Sequence, residues 1–358
     1  LRVPRKIHTC ICVRDLQNQK APGGTGMILF IGGESHTGKT LLMQALIERY
    51  HMPACSLDHI KMGLFRGKAD CGFSPTDSDE KIAGILWPIV KGIADTCLEN
   101  EQHLILEGCY LPQSDVADYV QQHKDAHALY LAFSDSYIQA HFNEHILQFE
   151  SAIEQRVTGD YEQSTCLTGN RETQKRCFET GLPCYVTDDS FSAQQERILR
   201  DLDRQLLRLR AFRQEDIDAI LRLFGDTVRT VCRRDYTAAQ TDAWANSVND
   251  RARWERTLSE HKTLVAVLGA RIVGFADLDG DYLVRVYVHR DFQGRGIGTA
   301  LLHELEAFAR QQKISELETH ASRTAKPFFA KQGFRLVQAQ TVVRDGETLE
   351  NFVMRKVL

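Results

Sequence analysis

A chain of 358 residues with a formal net charge of -4 is longer than one ordinary core fills and has no basic excess. It suits two domains of about 150 to 180 residues each and argues against nucleic acid as a partner. Its apolar runs fall short of the ~20 residues that cross a bilayer, so the reading is of a cytoplasmic protein that handles small molecules, with neither membrane nor nucleic acid as partner. The ten cysteines lack paired spacing and follow no secretory signal; they read as reduced thiols, and no structural metal is expected.

Residues 1–26 show no periodicity and are expected to be a leader outside the fold, with Met27 opening the first strand. After the apolar run 27–31, the residues Gly33, Glu34, Ser35, His36, Thr37, Gly38, Lys39 and Thr40 fill G-x-x-x-x-G-K-[ST], and an amphipathic pattern follows at 41–47. A strand that feeds a glycine loop opening a helix aims backbone N–H groups at phosphate. Lys39 is then placed for the β/γ oxygens and the Thr40 hydroxyl for Mg²⁺. The expected ligand is ATP with Mg²⁺.

Short apolar runs at 54–57, 103–106, 128–133 and 183–186 alternate with helical segments as far as residue 205. This predicts βαβ crossovers and a buried parallel sheet over 27–205. Ligands on such sheets sit at the carboxyl ends of strands, where Asp58 and Glu107 fall. Asp58 can orient or deprotonate an acceptor hydroxyl, or cap a helix starting at His59. Glu107 is a candidate partner for Mg²⁺ or the acceptor. Arg156, Arg171 and Arg176 surround a turn-rich stretch at 158–164 that reads as a lid, with Arg156 the candidate catalytic arginine.

Residues 27 to about 190 resemble the small-molecule and nucleoside-monophosphate kinase branch of P-loop proteins, and are similar to zeta-toxin-like kinases. The likeness lies in 32–40, Ser56-Leu-Asp-His-Ile-Lys-Met-Gly-Leu64, Leu86-Trp-Pro-Ile-Val90 and Leu104-Ile-Leu-Glu-Gly-Cys-Tyr110. It implies phosphoryl transfer to a small molecule. A nucleotide sensor, which needs Lys39 and Thr40 but no acceptor-handling carboxylates, is the alternative.

Beyond residue 205 the periodicity changes to a strand, two helices, and then hairpins at 263–268, 272–278 and 281–288, turning at Gly269-Ala270 and Asp279-Gly280. An α+β domain is expected over 206–358. After its strand at 282–288 come Gln293, Gly294, Arg295, Gly296, Ile297 and Gly298, then an amphipathic pattern from Thr299, which makes a second phosphate cradle.

Residues 206–358 resemble the GNAT acetyltransferases. The residues concerned are the opening strand 209–213, the strand and turn 286–298 matching Q/R-x-x-G-x-G/A, and Lys326-Pro-Phe-Phe-Ala-Lys-Gln-Gly-Phe334. The resemblance implies the GNAT fold and acetyl-CoA, its pyrophosphate on the amides of Gly294 to Thr299 and its pantetheine along Val286, Tyr287 and Val288. The family often has a Tyr as general acid where this chain has Phe329, so the acid would be Tyr287, Tyr282 or water. His320 and Asp277 are candidate bases. Trp244 and Trp254 lie in helices that by the resemblance wall the acceptor site; they read first as core residues, and Arg233 and Arg234 as solvated helix-end charges.

Overall fold

The computed structural model describes residues 26–147 and 162–358. The leader up to residue 25, Arg156 and the first part of the lid stretch lie outside the described residues. Two compact units divide between Asp201 and Leu202. No described helix is long and apolar enough to cross a membrane.

In the first unit the elements are β1 (Ile28–Gly33), α1 (Lys39–Tyr50), β2 (Ala54–Ser56), α2 (Leu57–Gly67), α3 (Asp79–Glu99), β3 (Leu104–Glu107), α4 (Gln113–Gln122), β4 (Ala126–Phe133), α5 (Asp135–His141), α6 (Gln163–Thr180) and β5 (Cys184–Thr187), followed by α7 (Phe191–Leu206). The described strands are all parallel, in the order β2-β3-β1-β4-β5. Every residue of β1 is buried because β3 pairs on one side and β4 on the other, which is why its sequence is an unbroken apolar run. Phe30, Leu57, Leu86, Leu106 and Tyr130 form one core with the covering helices, each aliphatic side chain contributing about 1.5–3 kcal/mol. The loop after β1 opens at the carboxyl edge of this sheet, between strands that continue to either side, where α/β sheets bind ligands.

Leu206, read from the sequence as strand, closes α7. The second unit then runs β6 (Arg208–Ala211), α8 (Ile217–Thr230), α9 (Ala238–Ala245), α10 (Arg251–Glu260), β7 (Lys262–Leu268), β8 (Arg271–Asp279), β9 (Tyr282–Val288), α11 (Ile297–Gln311), β10 (Glu316–Ser322), α12 (Lys326–Lys331), β11 (Arg335–Arg344) and β12 (Glu347–Val357). The sheet order is β11-β12-β10-β9-β8-β7-β6. Gly269 (φ 58°) and Gly280 (φ 57°) turn the two hairpins, at the positions where the sequence predicts them. One sheet face buries Val265, Val267 and Phe275 under Ile220 and Phe224 of α8 and Trp254 and Leu258 of α10. The other face receives α11 so closely that a Cβ on Gly274 would lie 3.1 Å from Ile297 and 3.2 Å from Leu301.

Neighbours β9 and β10 run parallel, yet they share a single paired position, Glu318 with Tyr282. Thr319 Oγ1 donates to the Leu283 carbonyl at 2.9 Å, and beyond that the strands part. On its other side β9 carries an extra residue, Val284, opposite the Asp277–Leu278 link, a bulge that bends the strand. The sheet therefore opens as a wedge whose walls are 283–288 and 319–322.

Candidate active site

One mouth of the wedge meets the start of α11. Gly294 (φ 72°) and Gly296 (φ 83°) adopt left-handed backbone, and a Cβ on either would meet nothing within 4 Å. Gly296 caps α11 without a side-chain hydrogen bond, and no acidic residue stands in the first turn. The leading amides of Ile297, Gly298 and Thr299 thus face open space with the positive end of the helix dipole behind them, an arrangement that receives anions. Gly298 is different: a Cβ there would make ordinary contacts with Phe328 (3.4 Å) and Val288 (3.6 Å). The Thr299 hydroxyl accepts from Gln332 at 3.1 Å.

Two of the expected cofactor contacts have further partners in the fold. The carbonyl of Val288 accepts from Thr227 Oγ1 and Gln293 Nε2, each at 3.3 Å; Tyr287 pairs with Phe275 of β8 and the His289 amide donates to the Val273 carbonyl at 2.8 Å, so strand alternation turns the backbone groups of Val286 and Val288 toward the wedge. The Arg295 guanidinium is committed to Asp203 and covers the Phe292 ring at 5.5 Å.

The other mouth opens into a cavity of about 440 Å³ whose walls include Phe224, Trp244, Trp254, Tyr282, Tyr287 and His320. Trp254 is therefore core and wall at once. Arg233 and Arg234 are exposed and do not line it. Tyr287 stacks on Phe275 at 5.5 Å and meets Phe224 edge-on at 4.8 Å. Burial pushes its phenol well above the ordinary range, so it keeps its proton. Tyr282 is raised for the same reason. His320 packs edge-on to Tyr282 at 5.0 Å, and its ring nitrogens meet Glu318 at 3.3 Å and Gln340 at 3.2 Å. Phe329 lies in the core between Phe328 and Phe334, both ring centroids at 5.2 Å.

Asp277 needs the largest correction. Expected as a candidate base, it is fully buried. Arg285 donates from Nε to Oδ1 and from Nη2 to Oδ2, both at 2.7 Å, and His261 Nδ1 lies 2.7 Å from Oδ2. With both oxygens engaged, the carboxylate meets the cavity through His261 and Arg285, which both line it. The sequence reading missed His261. Its signal is the hairpin register that sets Thr263 opposite Asp277.

In the first unit Lys39 is buried, with Nζ donating to the Glu34 carbonyl at 2.8 Å, and Thr37 Oγ1 donates to the same oxygen at 2.7 Å. Glu34 Oε1 accepts from the Ser35 amide at 2.8 Å. Gly38 (φ 83°) caps α1, and a Cβ there would lie 2.2 Å from the Phe191 ring. His36 also has positive φ, 67°. Thr40 is half-buried in the first turn of α1.

Asp58 lies inside the first turn of α2, and Ser56, not Asp58, is the cap, accepting from the Asp58 amide at 3.4 Å. The carboxylate sits 3.0 Å from Lys61 Nζ and accepts from the Tyr110 hydroxyl at 3.4 Å, while Lys61 also donates to that hydroxyl. Burial, then the Asp58 charge, holds the Tyr110 phenol well up. Glu107 is buried at the end of β3. Asp79 opens α3 with its carboxyl raised by burial although Lys39 and Lys61 pull it down; burial likewise raises Glu34. Lys61 and Tyr110 stand in the stretches that carry the kinase resemblance, but neither they nor Asp79 stands out alone. Arg171 and Arg176, expected around a lid, lie on α6 and are ion-paired, with Asp135 at 2.7 Å and Glu80 at 2.9 Å.

The expectation of no structural metal weighed cysteines alone; the eight described cysteines are free thiols. His141, Glu144 and His145 bring ligand atoms within 4.8 Å of one another, with the imidazoles stacked at 4.5 Å. They are the described residues with the proximity to hold a metal ion.

Residues 232–357 match the acetyltransferase (GNAT) domain family. The chain is 32% identical over 149 residues to YafP, an uncharacterized N-acetyltransferase of Escherichia coli, a match covering 42% of this chain and 95% of that protein. A GCN5-related N-acetyltransferase from Rhodopseudomonas palustris is 38% identical, with 42% of this chain and 95% of that one covered and a TM-score of 0.42. YncA from Salmonella typhimurium, solved with its cofactor acetyl-CoA, is 22% identical, with 42% and 94% covered and a TM-score of 0.34. The wedge, the glycine turn and the sequence matches all fall in the C-terminal unit, and through that unit the chain belongs to the GNAT acetyltransferase family.

Proposed function

We propose that the C-terminal unit transfers the acetyl group of acetyl-CoA to the amine of a small molecule. The observation that carries this reading is the wedge between β9 and β10, which has anion-receptive amides at one mouth and an aromatic cavity at the other. The open space at Gly294 and Gly296 fits the cofactor's phosphates, and the amides from Gly294 to Thr299 would hold them, with Val286 and Val288 offering strand edge to the pantetheine arm and Tyr287 its side chain. Acetyl-CoA supplies the activated acetyl thioester. The wedge orients the reacting groups, which alone lowers the barrier substantially, and Tyr287, its proton held by burial, serves as donor to the departing sulfur in the role Phe329 cannot fill. Incubating the full chain with acetyl-CoA and a panel of amines tests this, with thiol release and a mass gain of one acetyl group as readouts. The absence of both thiol release and coenzyme A binding would refute it.

For the N-terminal unit we propose binding of ATP with Mg²⁺ and phosphoryl transfer to a small-molecule hydroxyl. The supporting observation is the group Lys39, Asp58, Lys61 and Asp79, close enough for both lysines and Asp58 to act on the Asp79 carboxyl. Lys39 and the loop amides would hold the phosphates and Thr40 the Mg²⁺, which supplies charge neutralisation. Asp58, held by Lys61 and Tyr110, would accept the hydroxyl proton, with Glu107 behind it; a nucleotide sensor has no acceptor for that carboxylate to serve. Asp58→Asn should keep ATP affinity and lose phosphoryl transfer from ATP in a metabolite extract. Unchanged transfer in the variant would remove Asp58 from the reaction.

A further inference from the structure

The acceptor cavity holds more than an amine. At about 440 Å³ it suits a small molecule, and Trp244, Trp254, Tyr236 and Phe224 give it an aromatic wall. Several charges on that wall are already cancelled: Arg285 by Asp277 at 2.7 Å, and Glu350 by Arg323 at 2.7 Å. Arg253 and Arg344 also line the cavity, both exposed, and neither forms an ion pair with any described residue. Set against the Asp279 carboxylate that also lines the cavity, the two guanidiniums leave a net positive wall that disfavours a bare ammonium. They attract one that carries its own anion.

His261 adds the second element. Because the Asp277 carboxylate can only accept, the His261 nitrogen 2.7 Å from it is the N–H donor, and the lone pair of the neutral imidazole is on Nε2. The charged and titratable groups around that ring are Asp277 and Asp279 of β8, the latter 3.6 Å from Nε2, Arg285 of β9, and Tyr282 across the cavity.

Building on the acetyltransferase reading, we propose that the acceptor is a small molecule with an apolar or aromatic body, one amine and one anionic group, the anion held by Arg253 and Arg344 and the amine proton taken by His261. His261 Nε2 removes one proton from the ammonium and so frees the nitrogen lone pair. The C–N bond forms at the acetyl carbonyl carbon as the C–S bond breaks, with its electron pair leaving on sulfur. Tyr287 gives that sulfur a proton and regains one from the nitrogen, so the products are the amide, the thiol and one proton passed from His261 to water.

Matched acceptors test this on the full chain with acetyl-CoA: tryptophan against tryptamine, phenylalanine against phenethylamine, and O-phosphoethanolamine against ethylamine. The first two pairs report a carboxylate, the third a phosphate. At least one anion-bearing member should exceed its partner in kcat/KM by about tenfold or more, and Arg253→Gln with Arg344→Gln should erase the difference. His261→Gln, which can still bond to Asp277, should lower kcat by about 10²-fold and abolish the acidic limb of the pH–rate profile, with calorimetric coenzyme A affinity unchanged. Anion-free partners equal or better in every pair, no turnover or binding of any anion-bearing member, or an unaltered pH profile in His261→Gln would each overturn the proposal. Loss of coenzyme A binding in the wild-type chain would instead overturn the acetyltransferase reading beneath it.

Discussion

Arg285 and Asp277 are joined by two parallel hydrogen bonds of 2.7 Å, and the carboxylate they secure is entirely out of water. The same guanidinium lies 4.4 Å from the Trp254 ring centroid, so one residue neutralises a buried charge, backs a cavity wall and leaves His261 a fixed acceptor for its ring N–H. Removing it strands the carboxylate. Arg285→Ala should cost about 3–5 kcal/mol in stability, read as a fall in the urea midpoint followed by tryptophan fluorescence. Arg171→Ala, which breaks an exposed pair, should leave the midpoint within error.

The second prediction separates backbone strain from ligand approach. Gly296 and Gly280 both have positive φ, and a Cβ on either meets open space. Alanine at either position should cost about 1–2 kcal/mol through left-handed strain, but only Gly296→Ala should weaken coenzyme A binding by calorimetry. Equal affinities in the two variants would mean that the turn before α11 does not face the cofactor.

Much of this site was legible because it is local. The glycine loops after β1 and β9 announce themselves within ten residues, since a strand, positive-φ glycines and a helix start must follow one another in sequence. His261 was not legible, because its meaning comes from the β7–β8 register and a buried partner 16 residues away. Asp58 was misplaced by two residues of secondary structure: Ser56 takes the cap and so moves Asp58 into the helix toward Lys61. The Arg295 guanidinium and the Val288 carbonyl find partners far along the chain, Asp203 and Thr227, which no local pattern encodes.

The loop after β1 and the start of α3 carry a pH signature. Burial raises the Glu34 and Asp79 carboxyls, so each binds its proton more tightly folded than unfolded. Their stabilising contribution is present below the unfolded value and is lost as pH rises through the folded one. Asp79→Asn stays neutral, and its stability should decline less than wild type as pH rises above about 4, measured by urea denaturation at each pH. A steeper or identical decline would contradict the burial argument.

Tyr287→Phe keeps the ring that packs on Phe275 and Phe224 and deletes only the hydroxyl. It should lower the rate of acetyl transfer by about 10²-fold with coenzyme A affinity unchanged. Phe329→Tyr should not compensate, because that position is enclosed by Phe328 and Phe334. Full activity in Tyr287→Phe would pass the acid role to another group.

The central claim is that coenzyme A lies across the wedge, from the start of α11 to the edge of β9, and amide hydrogen exchange on the full chain with and without coenzyme A tests it most directly. Protection should rise in peptides spanning 283–299, above all at Val286, Val288 and the amides from Gly294 to Thr299, while the 33–40 loop stays unchanged. Protection confined to 33–40, or none at 283–299 under saturating coenzyme A, would contradict it.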